Sequence, residues 1–395
     1  MSTLEKEQII SDEKKYVINT YGRVPVVLVK GSGMSVFDTE GKEYLDFLAG
    51  IGVNNVGHCH PKVVEAIKNQ AETLIHISNI YYNVPQIELA KKLANLSGLD
   101  KAFFCNSGAE ANEAAIKLAR KYGKTKGKTG EIITMEHAFH GRTLTTITAT
   151  PKPKYQEGFE PLPTGFKYIP FNDIDALKAG ISEKTSAIMI EPVQGEGGIH
   201  PADKEYLKAV RKLCDENNIV LIFDEVQCGM GRTGTLFAYE QYGVVPDIVT
   251  LAKGLGGGFP IGAMVAKSEI ASAFTPGSHG TTFGGNPLAC ASSAAALDVI
   301  STLLGNAVKM GEYFKNGLKT LEEKYEFVKE VRSLGLMVGI ELTFNGSEIV
   351  SKMFEKGFLI NCTSDTVLRF LPPLIVEKEH IDAMISALDE VFSEI

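Results

Sequence analysis

Two residues of opposite charge each close an apolar run. Asp224 follows Ile219-Val-Leu-Ile-Phe223, while Lys253 follows Ile248-Val-Thr-Leu-Ala252 and precedes the glycine run Gly254-Leu-Gly-Gly-Gly258. A lysine held between apolar residues and tightly turning glycines is kept from water, which lowers its pKa and leaves a neutral, nucleophilic amine. Such an amine forms a Schiff base with an aldehyde, and the aldehyde cofactor pyridoxal phosphate also needs an acid facing its pyridinium nitrogen. Asp224 is placed to be that acid. A third feature, Asn106-Ser-Gly-Ala109, lies between a strand-like and a helix-like run, where backbone N–H groups and a helix dipole suit a phosphate. Taken singly, these features read as a turn cap, a solvated loop lysine and a small-residue turn; together they make one site.

A competing motif overlaps the same region. Gly229-x-Gly231-x-x-Gly234 follows the Asp224 run, and Asp247 lies further on, so the written elements of a dinucleotide fingerprint are all present. In a dinucleotide fold, however, the ribose-binding acid ends the second strand. Asp247 precedes its strand, and the residue that ends it is Lys253. The glycines are therefore expected to serve backbone geometry, and an NAD-dependent oxidoreductase is the weaker reading. His58-x-His60 is too small a cluster for a metal and, with Pro61 next, reads as the turn that starts a helix; no metal site is expected.

Strand candidates at 101–104, 131–135, 187–190, 219–223, 248–251 and 262–265 alternate with helix-like segments such as 109–121 and 203–217. All-apolar strands alternating with helices imply a mainly parallel sheet covered on both faces, whose ligands gather at the strands' carboxyl ends. Short strands are expected at 26–29 and 36–37, and near 335–342 and 367–371 in a helix-rich C-terminal part. A chain of 395 residues is long enough for more than one core. The expected division is 1–55 and 291–395 in a smaller α+β unit and 56–290 in a large cofactor-binding one.

The charge of −8 carries no basic block, so neither nucleic acid nor anionic membrane is an expected partner, and small anionic substrates would need local arginines. No run approaches a membrane span in unbroken apolar length, and the charged start MSTLEKEQIISDEKK lacks a signal peptide's apolar centre. Six scattered cysteines without a C-x-x-C pair suit a reducing compartment, so a cytoplasmic location is expected.

The chain resembles the class III, fold-type-I pyridoxal-phosphate aminotransferases over nearly its whole length. The resemblance rests on Tyr21-Gly-Arg23, Gly57-His-Cys-His-Pro61, Asn106-Ser-Gly-Ala-Glu-Ala-Asn112, Phe139-His-Gly-Arg-Thr143, Glu191-Pro-Val-Gln-Gly-Glu196, Asp224-Glu-Val-Gln227, Ala252-Lys-Gly254, Thr281-Thr-Phe-Gly-Gly-Asn-Pro287 and Leu368-Arg-Phe-Leu-Pro-Pro373. It implies an α/β fold with a large domain built on a mainly parallel seven-stranded sheet, plus a smaller α+β domain formed by the two chain ends. It implies Lys253 as the lysine that forms the aldimine with pyridoxal 5'-phosphate, and Asp224 as partner of the pyridinium nitrogen. Ser107, Gly108 and Ala109 are implied for the phosphate, Phe139 for stacking on the ring, and Val226 and Gln227 beside the cofactor, Gln227 at its phenolic oxygen.

Arg142 resembles the family residue that holds the substrate carboxylate far from the reacting amine, and Arg369 the one that holds the α-carboxylate of glutamate or 2-oxoglutarate; a guanidinium fork fits such groups. Glu196 resembles the acid that pairs with the second arginine while an ω-amino donor is bound. Thr281 is implied near the substrate and Thr282 at the phosphate of a neighbouring subunit, so a homodimer is implied. The expected reaction is transfer of an ω-amino group to 2-oxoglutarate. N2-acetylornithine is the preferred donor, with ornithine, 4-aminobutyrate, succinylornithine and succinyl-diaminopimelate as alternatives. Ile51 stands where ornithine-specific members carry a tyrosine, which weighs against free ornithine.

Overall fold

The computed structural model describes residues 3–395; Met1 and Ser2 of the charged N-terminal stretch lie outside the described residues. Its centre is a seven-stranded sheet in the order Lys101–Cys105, Gly262–Ala266, Ile248–Leu251, Val220–Asp224, Thr185–Ile190, Glu131–Met135, Phe166–Ile169. Gly262–Ala266 runs antiparallel to both its neighbours, and the other pairings are parallel.

The apolar runs are buried on both faces because alternate side chains point opposite ways. Val220 and Ile222 pack with Ala114, Ala115, Leu118 and Ala119 of the helix Gly108–Thr125, while Leu221 and Phe223 join the larger core on the other face. Small residues on one stripe of that helix let it lie close against the sheet. Burying each large apolar side chain contributes about 1.5–3 kcal/mol.

The same helix fixes the site's position. The chain leaves the edge strand Lys101–Cys105, crosses the sheet face as Gly108–Thr125 and returns as Glu131–Met135, several strands away. Its N-terminus therefore stands over the carboxyl ends of Val220–Asp224 and Ile248–Leu251. Ser107 caps it by accepting the Glu110 N–H at 3.2 Å, and the Glu110 carboxylate accepts the Asn106 N–H at 2.6 Å.

A second, antiparallel sheet has the order Val328–Leu334, Met337–Leu342, Val367–Phe370, Asn361–Thr363. A third joins the chain ends: Leu28–Ser32, Ser35–Asp38 and Glu43–Asp46 are extended by Phe358–Leu359, which pairs in parallel with Leu45 and Asp46. The fully buried Arg232 ties the Asp224 side of the molecule to the C-terminal part. It donates to Asn55 Oδ1 at 2.6 Å, Leu336 O at 3.2 Å and Pro372 O.

The 38-residue helix Pro287–Lys324 is long and apolar enough to cross a membrane. Here it packs on helices Pro61–Thr73 and Val84–Ser97 and on strand Val328–Leu334. The expected boundary at 290/291 falls within its first turn. Strands Glu43–Asp46 and Phe166–Ile169 were not among the expected ones. Both are short, and each interleaves polar and apolar residues with few β-branched ones.

Candidate active site

Asp224 and Lys253 open into one cavity of about 590 Å3, together with Ser107, Gly108 and Ala109. Phe139, Arg142, Val226 and Gln227 line it too. The strand register sets the first two: Asp224 ends its strand opposite Thr250, and the neighbouring strand then turns at Lys253 into a short 3-10 helix. Lys253 itself has a left-handed backbone, φ +47°, uncommon for a residue with a side chain. Burial lowers its amine's pKa, opposed by the charges of Glu196, Asp224 and Glu191 and assisted by Arg369.

Asp224 is buried and its position is over-determined. Its Oδ2 lies 2.7 Å from both Asn112 Nδ2 and His140 Nδ1, and its Oδ1 accepts the Val226 N–H at 3.0 Å. Asn112 is oriented in turn, donating to His140 O at 2.7 Å and accepting from Thr250 Oγ1 at 2.6 Å. Such a web stops the carboxylate from turning. Asn112 and His140 fall within the quoted motifs, but sequence reasoning assigned them no role. Their pairing with Asp224 depends on a helix, a loop and a strand meeting in space.

Glu191 is another such residue. It is buried, and its two oxygens accept from Phe139 N at 2.9 Å and Gly195 N at 3.4 Å. Burial pushes its carboxyl up to about 7, helped by the charge of Asp224 and opposed by His140 and these N–H groups.

At the helix N-terminus the N–H groups of Gly108 and Ala109 have no intrahelical acceptor and line the cavity. Gly108 must be glycine for a steric reason: a Cβ there would lie 2.6 Å from Val226 Cγ1. The site thus joins a desolvated amine, a fixed buried carboxylate and an anion-binding helix end in a cavity of cofactor size. These groups fit pyridoxal phosphate.

Arg369, 1% exposed, donates through Nη1 to Glu196 and, at 3.2 Å, to Gln227 Oε1, and through Nε to Asn361 Oδ1 at 3.1 Å. Gln227 Nε2 also reaches Glu196 Oε1 at 3.2 Å. Burial raises the Glu196 pKa, but the charge and hydrogen bond of Arg369 outweigh it and hold the carboxyl below the usual glutamate range. Arg142 lies over the Tyr155 ring at 3.7 Å and over Phe139 at 5.7 Å.

Thr281 accepts from Asn106 Nδ2 at 3.2 Å, beside the helix cap. Thr282 does not line this cavity; it is exposed, next to the exposed Phe283. Tyr21, in the first motif but given no role, lines the cavity. Ile51 sits in a run of left-handed residues, Ala49 at φ +50°, Gly50 at +64°, Ile51 at +63° and Gly52 at +74°, just before the cavity residue Val53.

The glycine fingerprint leads to no phosphate site. No α-helix follows Gly234 before the next strand, only the 3-10 turn Ala238–Gln241. Asp247 is occupied by Leu221 N, Arg211 and Lys267. His60 precedes the first residue of the helix Pro61–Thr73, and His58 Nε2 lies 2.7 Å from Asp46 Oδ2.

The sequence profile of the family described as Aminotransferase class-III matches residues 16–392. Acetylornithine aminotransferase of Methanocaldococcus jannaschii is 72% identical over 396 residues, covering 99% of this chain and all of its own. The acetylornithine aminotransferase of Caldanaerobacter subterraneus is 59% identical over 392 residues, 98% of this chain and all of its own. Among solved structures, the ornithine aminotransferase of Toxoplasma gondii superposes with a TM-score of 0.96 at 35% identity, covering 100% of this chain and 97% of its own. The acetylornithine aminotransferase of Elizabethkingia anophelis gives 0.88 at 36% identity, covering 99% of each chain.

Proposed function

The chain belongs to the class-III aminotransferase family, and we propose that it transfers the δ-amino group of N2-acetyl-L-ornithine to 2-oxoglutarate. The products are N-acetyl-L-glutamate 5-semialdehyde and L-glutamate, which makes this a step of arginine biosynthesis. The observation that carries the reading is the convergence of Lys253, the fixed Asp224 carboxylate and the helix N-terminus at Gly108 on one cavity. The donor assignment is supported by full-length relatives of that name at 72% and 59% identity.

Pyridoxal phosphate, the cofactor of class-III aminotransferases, supplies an electron sink for the carbanion left when a proton leaves the amino-bearing carbon. The chain's own residues do the rest. Lys253 Nζ would hold the cofactor covalently and, once freed by the donor amine, carry the proton from the donor's amino-bearing carbon. Burial lowers the pKa of that amine, which favours the base form such a transfer needs. Asp224, held in place by Asn112, His140 and Val226 N, would face the ring nitrogen. Ser107 and the N–H groups of Gly108 and Ala109 would take the phosphate. Phe139 and Val226 would pack on the ring, and Gln227 would meet its phenolic oxygen.

For the substrate, Arg142 would hold the carboxylate distant from the reacting amine. Arg369 would hold the α-carboxylate of 2-oxoglutarate or glutamate. Glu196 neutralises Arg369 while the donor is bound and yields it to the dicarboxylate, so two unlike substrates share one site. Thr281 would lie near the substrate, and Thr282 would complete the phosphate site of a second copy in a homodimer. The dimer reading is supported by Ile80 and Tyr82, 83% and 97% exposed, and by Phe283 beside Thr282 at 62%. We divide the chain into 1–55 with 291–395 and a cofactor-binding 56–290. We place it in the cytoplasm, which suits its six free cysteines.

The testing experiment is a panel of initial rates with 2-oxoglutarate against N2-acetylornithine, ornithine, 4-aminobutyrate, succinylornithine and succinyl-diaminopimelate. The highest kcat/KM is expected for N2-acetylornithine. Preference for free ornithine would keep the chemistry and overturn the reading of Ile51.

A further inference from the structure

Arg369 is held on its Nε and Nη1 side in this structure. Its Nε donates to Asn361, its Nη1 to Glu196 and Gln227, and it is 1% exposed. A substrate carboxylate that forks across Nη1 and Nη2 must displace the Glu196 carboxylate from Nη1, and Glu196 then needs a new partner, because a mostly buried carboxylate left unpaired is costly. We propose that this partner is Lys152: the Glu196 side chain swings from Arg369 to the Lys152 ammonium when the dicarboxylate binds, and Lys152 thereby positions the exchange between the two substrates. The proposal rests on the aminotransferase reading given above.

Geometry first supports the pairing. Lys152 Nζ lies 3.1 Å from the main-chain oxygen of Glu196, so the ammonium sits within one side-chain length of the carboxylate. Lys152 is half-buried, and among the described residues no carboxylate stands within ion-pair distance of it. Burial lowers its pKa, and of the surrounding charges Glu196 acts most strongly to raise it, then Glu191, against Arg369 and Arg142. The other cations nearby are committed: Lys253 to the cofactor, and Arg142, stacked on Tyr155, to the substrate's far carboxylate.

The main chain at residue 196 is also built as a pivot. Its carbonyl accepts from Thr363 Oγ1 at 2.8 Å, Ser364 Oγ at 3.1 Å and Lys152 Nζ at 3.1 Å. The flanking glycines leave no room for side chains beside it: a Cβ at Gly195 would lie 1.9 Å from Gln227 Oε1, and one at Gly197 would lie 2.9 Å from His137 O. With the carbonyl held by three donors, rotation of the Glu196 side chain moves the carboxylate while Lys152 already touches the same residue. Sequence alone gives no sign of this, since Lys152 lies in the run Pro151-Lys-Pro-Lys-Tyr155, which reads as a surface turn.

The test compares Lys152→Met and Lys152→Arg with the wild-type holoenzyme. The two half-reactions are measured separately, with N2-acetylornithine and with 2-oxoglutarate, and equilibrium binding of glutarate, a dicarboxylate without a keto group, is titrated. Losing a charge-assisted partner for Glu196 should weaken glutarate binding and raise the KM for 2-oxoglutarate by about tenfold in Lys152→Met. The donor half-reaction should move less than about twofold, and Lys152→Arg should recover most of the loss. A structural defect would instead raise both KM values together and leave Lys152→Arg impaired, and that result, or glutarate binding unchanged in Lys152→Met, overturns the proposal. Absence of transamination in the wild-type protein would overturn the aminotransferase reading itself, a separate outcome.

Discussion

Replacing Glu196 by glutamine should make the protein less stable and its grip on a dicarboxylate tighter, by related amounts. Breaking a buried ion pair from one side costs about 3–5 kcal/mol, because it strands the remaining charge. Two features reduce that figure here. Glutamine can still accept the Arg369 N–H, and the Glu196 side chain is 22% exposed, which admits some solvent screening. About 2 kcal/mol is a reasonable remainder. Glutarate brings its own carboxylate to Arg369 and in the variant recovers those about 2 kcal/mol, less the about 1.4 kcal/mol that the Lys152 contact gives displaced Glu196 in the wild type, a net tightening of about threefold. The assay is paired: urea unfolding of wild-type and Glu196→Gln holoenzyme, and calorimetric titration of each with glutarate. Glutarate binding that is unchanged or weaker in the variant would refute the idea that Glu196 and the substrate compete for one guanidinium.

Three further outcomes follow from particular contacts. Gly108→Ala places a methyl 2.6 Å from Val226 Cγ1, so it should lower cofactor affinity at least about tenfold by cofactor titration. The double variant with Val226→Ala should recover part of it; no recovery would mean the clash lies elsewhere. Glu225, buried and accepting from Ala238 N and Tyr239 N at 2.7 Å each, is pushed up to about 8 by burial, against those N–H groups. Its protonated form is thus favoured by folding, and stability undiminished below about pH 4.5 should fall as pH rises towards 8, by on the order of 4 kcal/mol from this group. Urea midpoints across that range should show a shallower fall in Glu225→Gln. Ile51, β-branched at φ +63°, should gain about 1 kcal/mol as Ile51→Gly in urea unfolding with an unchanged m-value. A loss would show that the side chain holds the left-handed turn in place.

What could be read from the chain follows the range of each physical signal. Apolar runs ending in Asp224 and Lys253 mark two strand ends, and the parallel-sheet rule puts such ends on one edge, so the centre of the site was legible before any coordinates. The Gly229 motif could be set aside because Asp247 precedes its strand, and the structure shows what that acid does: it holds Leu221 N at 2.8 Å and pairs with Arg211 and Lys267. Asn112 and His140 were not legible as partners of Asp224. Their meeting depends on how far the helix Gly108–Thr125 travels across the sheet, a tertiary distance that no local pattern encodes. The strand Phe166–Ile169 was missed because an edge strand is half solvated and lacks the all-apolar signature of its neighbours. The left-handed turn around Ile51 is likewise invisible in sequence, where a β-branched residue argues against positive φ.

The central claim is that Lys253 carries the cofactor in a site arranged for amino transfer. The most direct measurement is borohydride reduction of the holoenzyme followed by peptide mass mapping, which fixes the cofactor's carbonyl carbon to whichever nitrogen holds it. The account predicts one modified peptide, with the added mass on Lys253 and its loss when N2-acetylornithine is added before the reductant. Modification of another lysine, or an adduct on Lys253 that the donor does not discharge, would contradict it.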